Sequence, residues 1–455
     1  MGTEPVNKLL LSLGLPMIAS MLVQAFYNIV DSIFVARITD VGSMGSAGTD
    51  ALVAVGMAFP FQTLIIAFAG GTGVGMNAML SKALGEKDYK NVNRIAENGV
   101  FCYAVCFAIF FIAGIFLPET LIRSQGGTGL SLSYGTQYLR IVSMGSIGIF
   151  SQFLFERLLQ STGKTIYSMI TQMSGAIINI ILDPILIFGY FGLPELKVAG
   201  AAIATIIGQI IAGIIALYFN QTKNPEIKIS FKGFRVNPYI VERIYVVGVP
   251  SIIMQSIGSI MTYSMNKILV SLNEASVAVF TVYFKLQSLF FLPLFGMNNA
   301  LIPIIAYNYG AQKRSRVIGV IKCGMLYALG FMLFGFILFE VFPDRLLLIF
   351  NTGDPSLLTY GVPALRQIAF HFLLAWFCII AGSSFQALGN GVYSLIVSIA
   401  RQLVVLIPAA YILAKIGGLD LVWWSFPIAE LMSLLCSAFF LHRINKNIIS
   451  KIPET

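Results

Sequence analysis

Residues 165–190 read TIYSMITQMSGAIINIILDPILIFGY. A helix needs about 20 predominantly apolar residues to cross a hydrocarbon layer, and this run is long enough. Asp183 is its only formally charged side chain, and the segment Ile178–Phe188 (INIILDPILIF) sets Asn179 and Asp183 among apolar neighbours. A second segment, Tyr27–Phe34 (YNIVDSIF), does the same with Asn28 and Asp31. A carboxylate is expensive in hydrocarbon and faces a protein interior or a wet cavity. The two stretches together imply several membrane helices packed around a shared polar interior.

The rest of the chain agrees. Its 455 residues are 57% hydrophobic and 11% charged, with a mean hydropathy of +0.84; a soluble chain carries about 25% charged residues. Twelve spans are read, near 9–36, 52–80, 95–118, 136–160, 165–190, 198–219, 244–272, 276–306, 317–342, 361–386, 392–414 and 421–442. The first begins after a short polar leader, is too long for a signal-peptide core and lacks a small-residue cleavage site, so it counts as a span. Lys and Arg crowd one set of connections, including Lys82, Lys87, Lys90, Arg94, Arg157, Lys164, Lys313, Arg314 and Arg316, whereas the other set has only a scatter such as Arg37, Arg123 and Arg345. By the positive-inside rule both termini are cytoplasmic. This bias accounts for the net charge of +9 without a nucleic-acid partner. All five cysteines fall within spans, which indicates packing and not a disulfide framework.

An internal repeat is visible. Gln62 and Gln287, like Gly85 and Gly310, are separated by 225 positions; Gln160 and Gln386, Gly163 and Gly389, and Tyr167 and Tyr393 by 226. Pro16 opens the first span as Pro250 opens the seventh. The organisation is a six-span N-lobe over 1–219, a basic cytoplasmic linker over 220–243, a six-span C-lobe over 244–442 and a cytoplasmic tail over 443–455. Even-numbered repeats of one polarity are related by an axis along the membrane normal, and transporters place sites at or near such repeat interfaces. The repeat also shows what the fold does not require: Asp31 falls opposite Met265, Asn179 opposite Val405 and Asp183 opposite Ala409. The carboxylates belong to the first half alone.

Counting inward from the span ends at 1.5 Å per residue puts Asp31, Asp183 and Thr205 roughly 10 Å below the outer boundary. Asn179 and Asp183, four apart, share a helix face. Three spans can thus present two carboxylates, an amide oxygen and a hydroxyl at one level. Such a set can hold Na⁺, or the carboxylates can carry H⁺. Two blander readings compete: Asp183 followed by Pro184 looks like a helix N-cap with proline at N1, and Asp31 could pair with Arg37. The shared depth favours a functional site.

The stretches PMIASMLVQAFYNIVDSIFVARI (16–38), KALGEKD (82–88), LLQSTGK (158–164), NIILDPILIFGYFGLPELKVAGAAIAT (179–205) and VWWSFPIAE (422–430) resemble the MATE (multidrug and toxic compound extrusion) family over nearly the whole chain. The resemblance implies an all-α, V-shaped bundle of two pseudo-symmetric lobes that exports drugs in exchange for H⁺ or Na⁺. It implies a prokaryotic N-lobe cation site at Asp31, Asn179, Asp183 and Thr205, a substrate cavity lined by Gln24, Tyr27 and Asn28, and a hinge at Pro16. Spans seven and ten lack the acids that another branch of the family uses. Met173 is a further cavity candidate because thioethers adapt to aromatic ligands.

In the second half Lys267, Lys285, Arg366, His371, Arg401 and Glu430 fall in or near spans. Arg401 and Glu430 are expected to form a structural pair joining spans eleven and twelve, since isolated charges there are costly. The glycine run GGTGVG (70–75) lies inside an apolar span and reads as close helix packing, not as a nucleotide loop. No Walker sequence or zinc-ligand cluster occurs, and no catalytic residue is assigned. The expectation is therefore a non-enzymatic, multi-pass secondary exporter in a prokaryotic inner membrane. It should act as a monomer on small hydrophobic or cationic substrates, with no cofactor besides its coupling ion. The rival readings are a lipid-linked-sugar flippase, which should need a basic cavity for pyrophosphate, and a ligand-gated sensor or channel.

Overall fold

The computed structural model describes residues 1–38, 47–230, 234–349 and 356–453. Among them the regular structure is helical throughout. In chain order the α-helices are α1 Val6–Ala36, α2 Ala47–Gly85, α3 Tyr89–Phe116, α4 Pro118–Ser124, α5 Gly129–Met144, α6 Ile147–Ser161, α7 Thr165–Phe188, α8 Lys197–Lys223 and α9 Pro238–Leu272. They continue with α10 Glu274–Gly310, α11 Arg314–Val341, α12 Pro343–Leu348, α13 Ser356–Ala369, α14 Phe372–Ala387, α15 Gly391–Ile399, α16 Ile407–Gly417, α17 Leu419–Val422 and α18 Ser425–Asn447. A π-helical segment, Ala400–Leu406, joins α15 to α16.

Ten helical stretches among the described residues are long and apolar enough to cross a bilayer, and twelve when each of two bent pairs is one span. The twelve expected spans are thereby accounted for, with ends displaced by a few residues. Spans four and ten, expected as single helices, are instead bent: α5 meets α6 at 42° and α13 meets α14 at 51°. The outer surfaces are apolar. Helix α3 buries Cys102, Cys106 and Phe110 while exposing Ile109, Ile112 and Phe116, an arrangement suited to lipid contact. All five cysteines are free.

The repeat has structural counterparts. Prolines 118 and 343 open the short helices α4 and α12, where a missing N–H costs nothing at the first helical turn. The breaks at Gly145–Ser146 and Phe370–His371 occupy equivalent positions. Left-handed residues also recur, Lys87 with Gln312 and Gly163 with Gly389.

The chain forms two compact units that are not contiguous in sequence. One comprises Met1–Ile18, Gly85–Lys87 and Ile253–Thr455; the other comprises Ala19–Leu84 and Asp88–Ile252. The chain changes unit just after Pro16 in α1 and just after Pro250 in α9, both inside helices. A proline there removes one backbone hydrogen bond and loosens the helix locally. Within the first unit, Lys313 Nζ donates to the Gly2 carbonyl at 2.7 Å and Arg316 Nη2 to the Glu4 carbonyl at 2.7 Å, fixing the leader.

Within the second unit, α7 and α8 pack closely because glycines remove the side chains between them. A Cβ on Gly208 would lie 2.7 Å from the Gly175 carbonyl oxygen, and one on Gly200 would lie 2.5 Å from that of Leu186. The 70–75 glycines act the same way: a Cβ on Gly75 would clash with the Ile244 carbonyl oxygen. Replacing Gly75 by Ala should destabilise the protein by about 1–3 kcal/mol through overpacking. Gly14→Ala, with nothing within 4 Å of the added atom, should be tolerated. Thermal unfolding of the two variants in detergent checks the contrast.

Candidate functional site

Helices α1, α7 and α8 carry the four residues expected to bind a cation, all within the second unit. Asp31 lies five residues before the end of α1, Asp183 five before the end of α7, and Thr205 eight after the start of α8. Asp183 is fully buried, Asn179 and Thr205 are buried, and Asp31 is half-buried. The Asn179 amide lies 3.3 Å from Asp183 and 3.3 Å from Thr205 Oγ1. Orienting that amide so that nitrogen donates to Asp183 also lets its oxygen accept from the Thr205 backbone N–H at 3.1 Å and from Oγ1 at 3.3 Å, which satisfies both groups. The single Thr205 hydroxyl proton has the Ala201 carbonyl, 3.0 Å away, as its alternative acceptor.

The Asp31 and Asp183 carboxyl groups are immediate neighbours that interact side chain to side chain. Asp31 Oδ1 is buried without a hydrogen-bond partner. Two carboxylates in contact repel one another unless a proton or a cation lies between them. The donor set fits either guest: carboxylate, amide and hydroxyl oxygens suit a hard cation.

The blander readings of the two acids do not hold. Asp183 is not an N-cap, because Pro184 lies inside α7 and Asp183 is in helix interior. Proline then leaves the Ile180 carbonyl without its usual intrahelical donor. Nor does an ion pair join Asp31 to Arg37, which is exposed, among the described residues.

Two tyrosines and two glutamines complete the surroundings. Tyr27 hydrogen-bonds Gln24 and stands near both carboxylates. Tyr138 on α5 lies near Asp31 and Tyr27, and its hydroxyl donates to Gln62 Oε1 at 3.5 Å. Sequence reasoning named Gln24 and Tyr27 but missed Tyr138, and noticed Gln62 only as part of the repeat. Asn28 belongs to α1, but its side chain lies outside the described residues. Met173, half-buried on α7, stands ten residues from Asp183, about 15 Å along the helix, and is apart from this cluster.

Thr205→Val keeps the shape and removes the hydroxyl. A lost hydrogen bond of about 1 kcal/mol should weaken cation or proton dependence of transport roughly fivefold, with Thr205→Ser close to wild type. The ion concentration giving half-maximal transport is the readout.

In the first unit, Arg401 Nη1 meets Glu430 Oε2 at 3.1 Å, linking the π segment to α18 as expected for a structural pair. His371, at the break between α13 and α14, is buried; its Nδ1 lies 2.7 Å from the Ile368 carbonyl and its Nε2 3.5 Å from the Tyr283 hydroxyl. Lys267, Lys285 and Arg366 are exposed.

The MatE family model matches residues 16–185 and again residues 250–412, so the two matches begin at the two helix prolines. The chain is 25% identical over 443 residues to the multidrug export protein MepA of Staphylococcus haemolyticus, covering 97% of this chain and 95% of that protein. Among solved structures it superposes with a TM-score of 0.89 and 25% identity on a multidrug resistance MATE family transporter of the MOP superfamily in an outward-facing conformation, covering 98% of each chain. A MOP superfamily transporter from Pyrococcus furiosus, described as having a binding pocket of reversed polarity, gives the same TM-score at 25% identity, over 99% of this chain and 98% of that one.

Proposed function

Because the chain belongs to the MATE family of membrane transporters, we propose that it exports hydrophobic, mostly cationic compounds in exchange for H⁺ or Na⁺. The observation that carries this reading is the direct contact of Asp31 with Asp183 at the level of Asn179 and Thr205, inside a membrane-spanning unit. On this reading the protein lies in a prokaryotic inner membrane with both termini cytoplasmic, an orientation that the Lys/Arg-rich connections support, and the site then lies toward the outer face. The protein acts as a monomer.

The cycle alternates access. Open outward, the pair takes up the coupling cation, which cancels the local negative charge and weakens the hold on a cationic substrate. Bending of α1 at Pro16 accompanies that change. Open inward, the cation leaves and the restored charge attracts the next substrate. One charge moving through 100 mV supplies about 2.3 kcal/mol, enough for a concentration ratio of roughly 50. Exchange of one H⁺ for one monovalent substrate moves no net charge and draws on the pH gradient alone; a second proton at the pair would add the voltage.

A flippase for an anionic pyrophosphate-linked lipid is the weaker alternative, since the polar centre of the second unit holds two acids. Ethidium efflux from proteoliposomes under separate pH and Na⁺ gradients tests the proposal.

A further inference from the structure

Glu156 is a third acid buried in the same unit, only 3% exposed, and the proposed cycle leaves it without a task. It lies five residues before the end of α6. Both carboxyl oxygens are held by neutral amides: Gln152 Nε2 donates to Oε1 at 2.9 Å and Gln172 Nε2 donates to Oε2 at 2.6 Å. The other end of the Gln172 amide, Oε1, is buried and has no hydrogen-bond partner. Gln172 shares one face of α7 with Ser168, Asn179 and Asp183, at intervals of four, seven and four residues. Gln172 therefore stands eleven residues, about 16 Å, from Asp183 along the helix. The stripe continues past it, since Arg157 Nη1 donates to Gln160 Oε1 at 2.7 Å and Gln160 Nε2 to Ser168 Oγ at 2.9 Å.

We propose that Glu156 is a proton-binding site at the opposite end of this unit from the Asp31–Asp183 pair, which takes up and releases the exchanged proton on the cytoplasmic side. The hydrogen bonds provide for both of its states. Ionised, Glu156 only accepts, and two amide N–H groups face it. When H⁺ adds to one carboxyl oxygen, the group becomes a donor, and a half-turn of the Gln172 amide brings its unpartnered Oε1 to accept that proton. Release returns H⁺ to water and the amide to its first orientation. Na⁺ is the poorer guest, because it would have to displace amide donors already in place. Among the described residues, the charged and titratable groups that act on Glu156 are Arg157 on its own helix and Tyr103 from α3. Helix α7 brings Gln172, and α8 meets this level through Gly213, beside Ser151 and Gln152, and through Asn220, which donates to the Phe155 carbonyl at 2.8 Å.

The transport role rests on proton exchange at the Asp31–Asp183 pair, but the site itself can be tested apart from it. Infrared difference spectra of the full chain in liposomes, taken while pH is stepped, detect carboxylic-acid protonation directly. The Asp31→Asn/Asp183→Asn double variant should retain a titrating buried carboxyl band, and adding Glu156→Gln should remove it. Gln172→Met should keep the band and move its midpoint by about one pH unit, the worth of one hydrogen bond to a charged group. If Glu156→Gln prevents folding, Glu156→Asp should fold, keep a band and shift it. In the wild-type background, Glu156→Gln should slow pH-driven uphill transport about tenfold or more with ethidium affinity within about twofold. A band that is absent from the double variant, or unchanged by both Glu156 substitutions, would overturn the proposal and leave Glu156 a structural acceptor. Failure of wild type to respond to any pH gradient would instead sink the exchange reading, while the spectra still decide whether Glu156 binds a proton.

Discussion

Asp183→Asn should abolish gradient-driven accumulation of ethidium, by at least about a hundredfold in initial uphill rate, while the protein folds and still binds the dye. The substitution is nearly isosteric, and the Asn179 amide 3.3 Å away can pair with an amide as it does with a carboxylate. What disappears is the group that gains and loses a cation. Asp31→Asn should fail in the same way, because each acid acts through the other. Combining the two should add little, since residues that work as a unit give strongly non-additive losses. Dye binding measured by fluorescence, set beside transport in proteoliposomes, separates lost coupling from lost fold. If Asp183→Asn transports at the wild-type rate, the buried acid is structural.

The second large effect concerns the other unit and stability. Arg401→Met should be severely destabilising, by about 3–5 kcal/mol, because it strands a charge on Glu430, which is only 2% exposed. Glu430 Oε1 already lacks a hydrogen-bond partner, so Arg401 is the only ion-pair partner its other oxygen has among the described residues. Replacing both, as Arg401→Met/Glu430→Gln, should recover most of the loss, since a buried ion pair is worth little against a neutral replacement. The fraction remaining monodisperse after heating in detergent measures both. A double variant no better than the single one would mean that Arg401 acts through its packing in the π segment.

Much of the fold was legible because hydrocarbon makes harsh demands: each span must be long, apolar and hydrogen-bonded within itself. Asp31, Asn179 and Asp183 stood out for the same reason, as polar groups where such groups are costly, and the structure brings them together. The bends escaped notice because they depend on packing. At Gly145 an added Cβ would clash with the Ile206 side chain, so α8 packs directly against the break. In sequence, Gly145–Ser146 looks like any small pair within a membrane helix. Tyr138 gave no signal, since a tyrosine in a span is ordinary at an interface and only the approach of α5 to α1 makes it a neighbour of Asp31. Glu156 was hidden by its place beside Arg157, near enough to a span end to be read as part of a wet cytoplasmic rim. The structure buries Arg157 as well, at 7% exposure.

The central claim is that an ion gradient drives substrate uphill through the Asp31–Asp183 pair. It is tested most directly by loading wild-type proteoliposomes with ethidium and imposing a pH gradient and a Na⁺ gradient one at a time. The account predicts that at least one gradient drives ethidium against its own concentration, that dissipating the gradient stops it, and that Asp183→Asn vesicles do not respond. Ethidium that only equilibrates in wild type under either gradient, or that still moves uphill in Asp183→Asn, would contradict it.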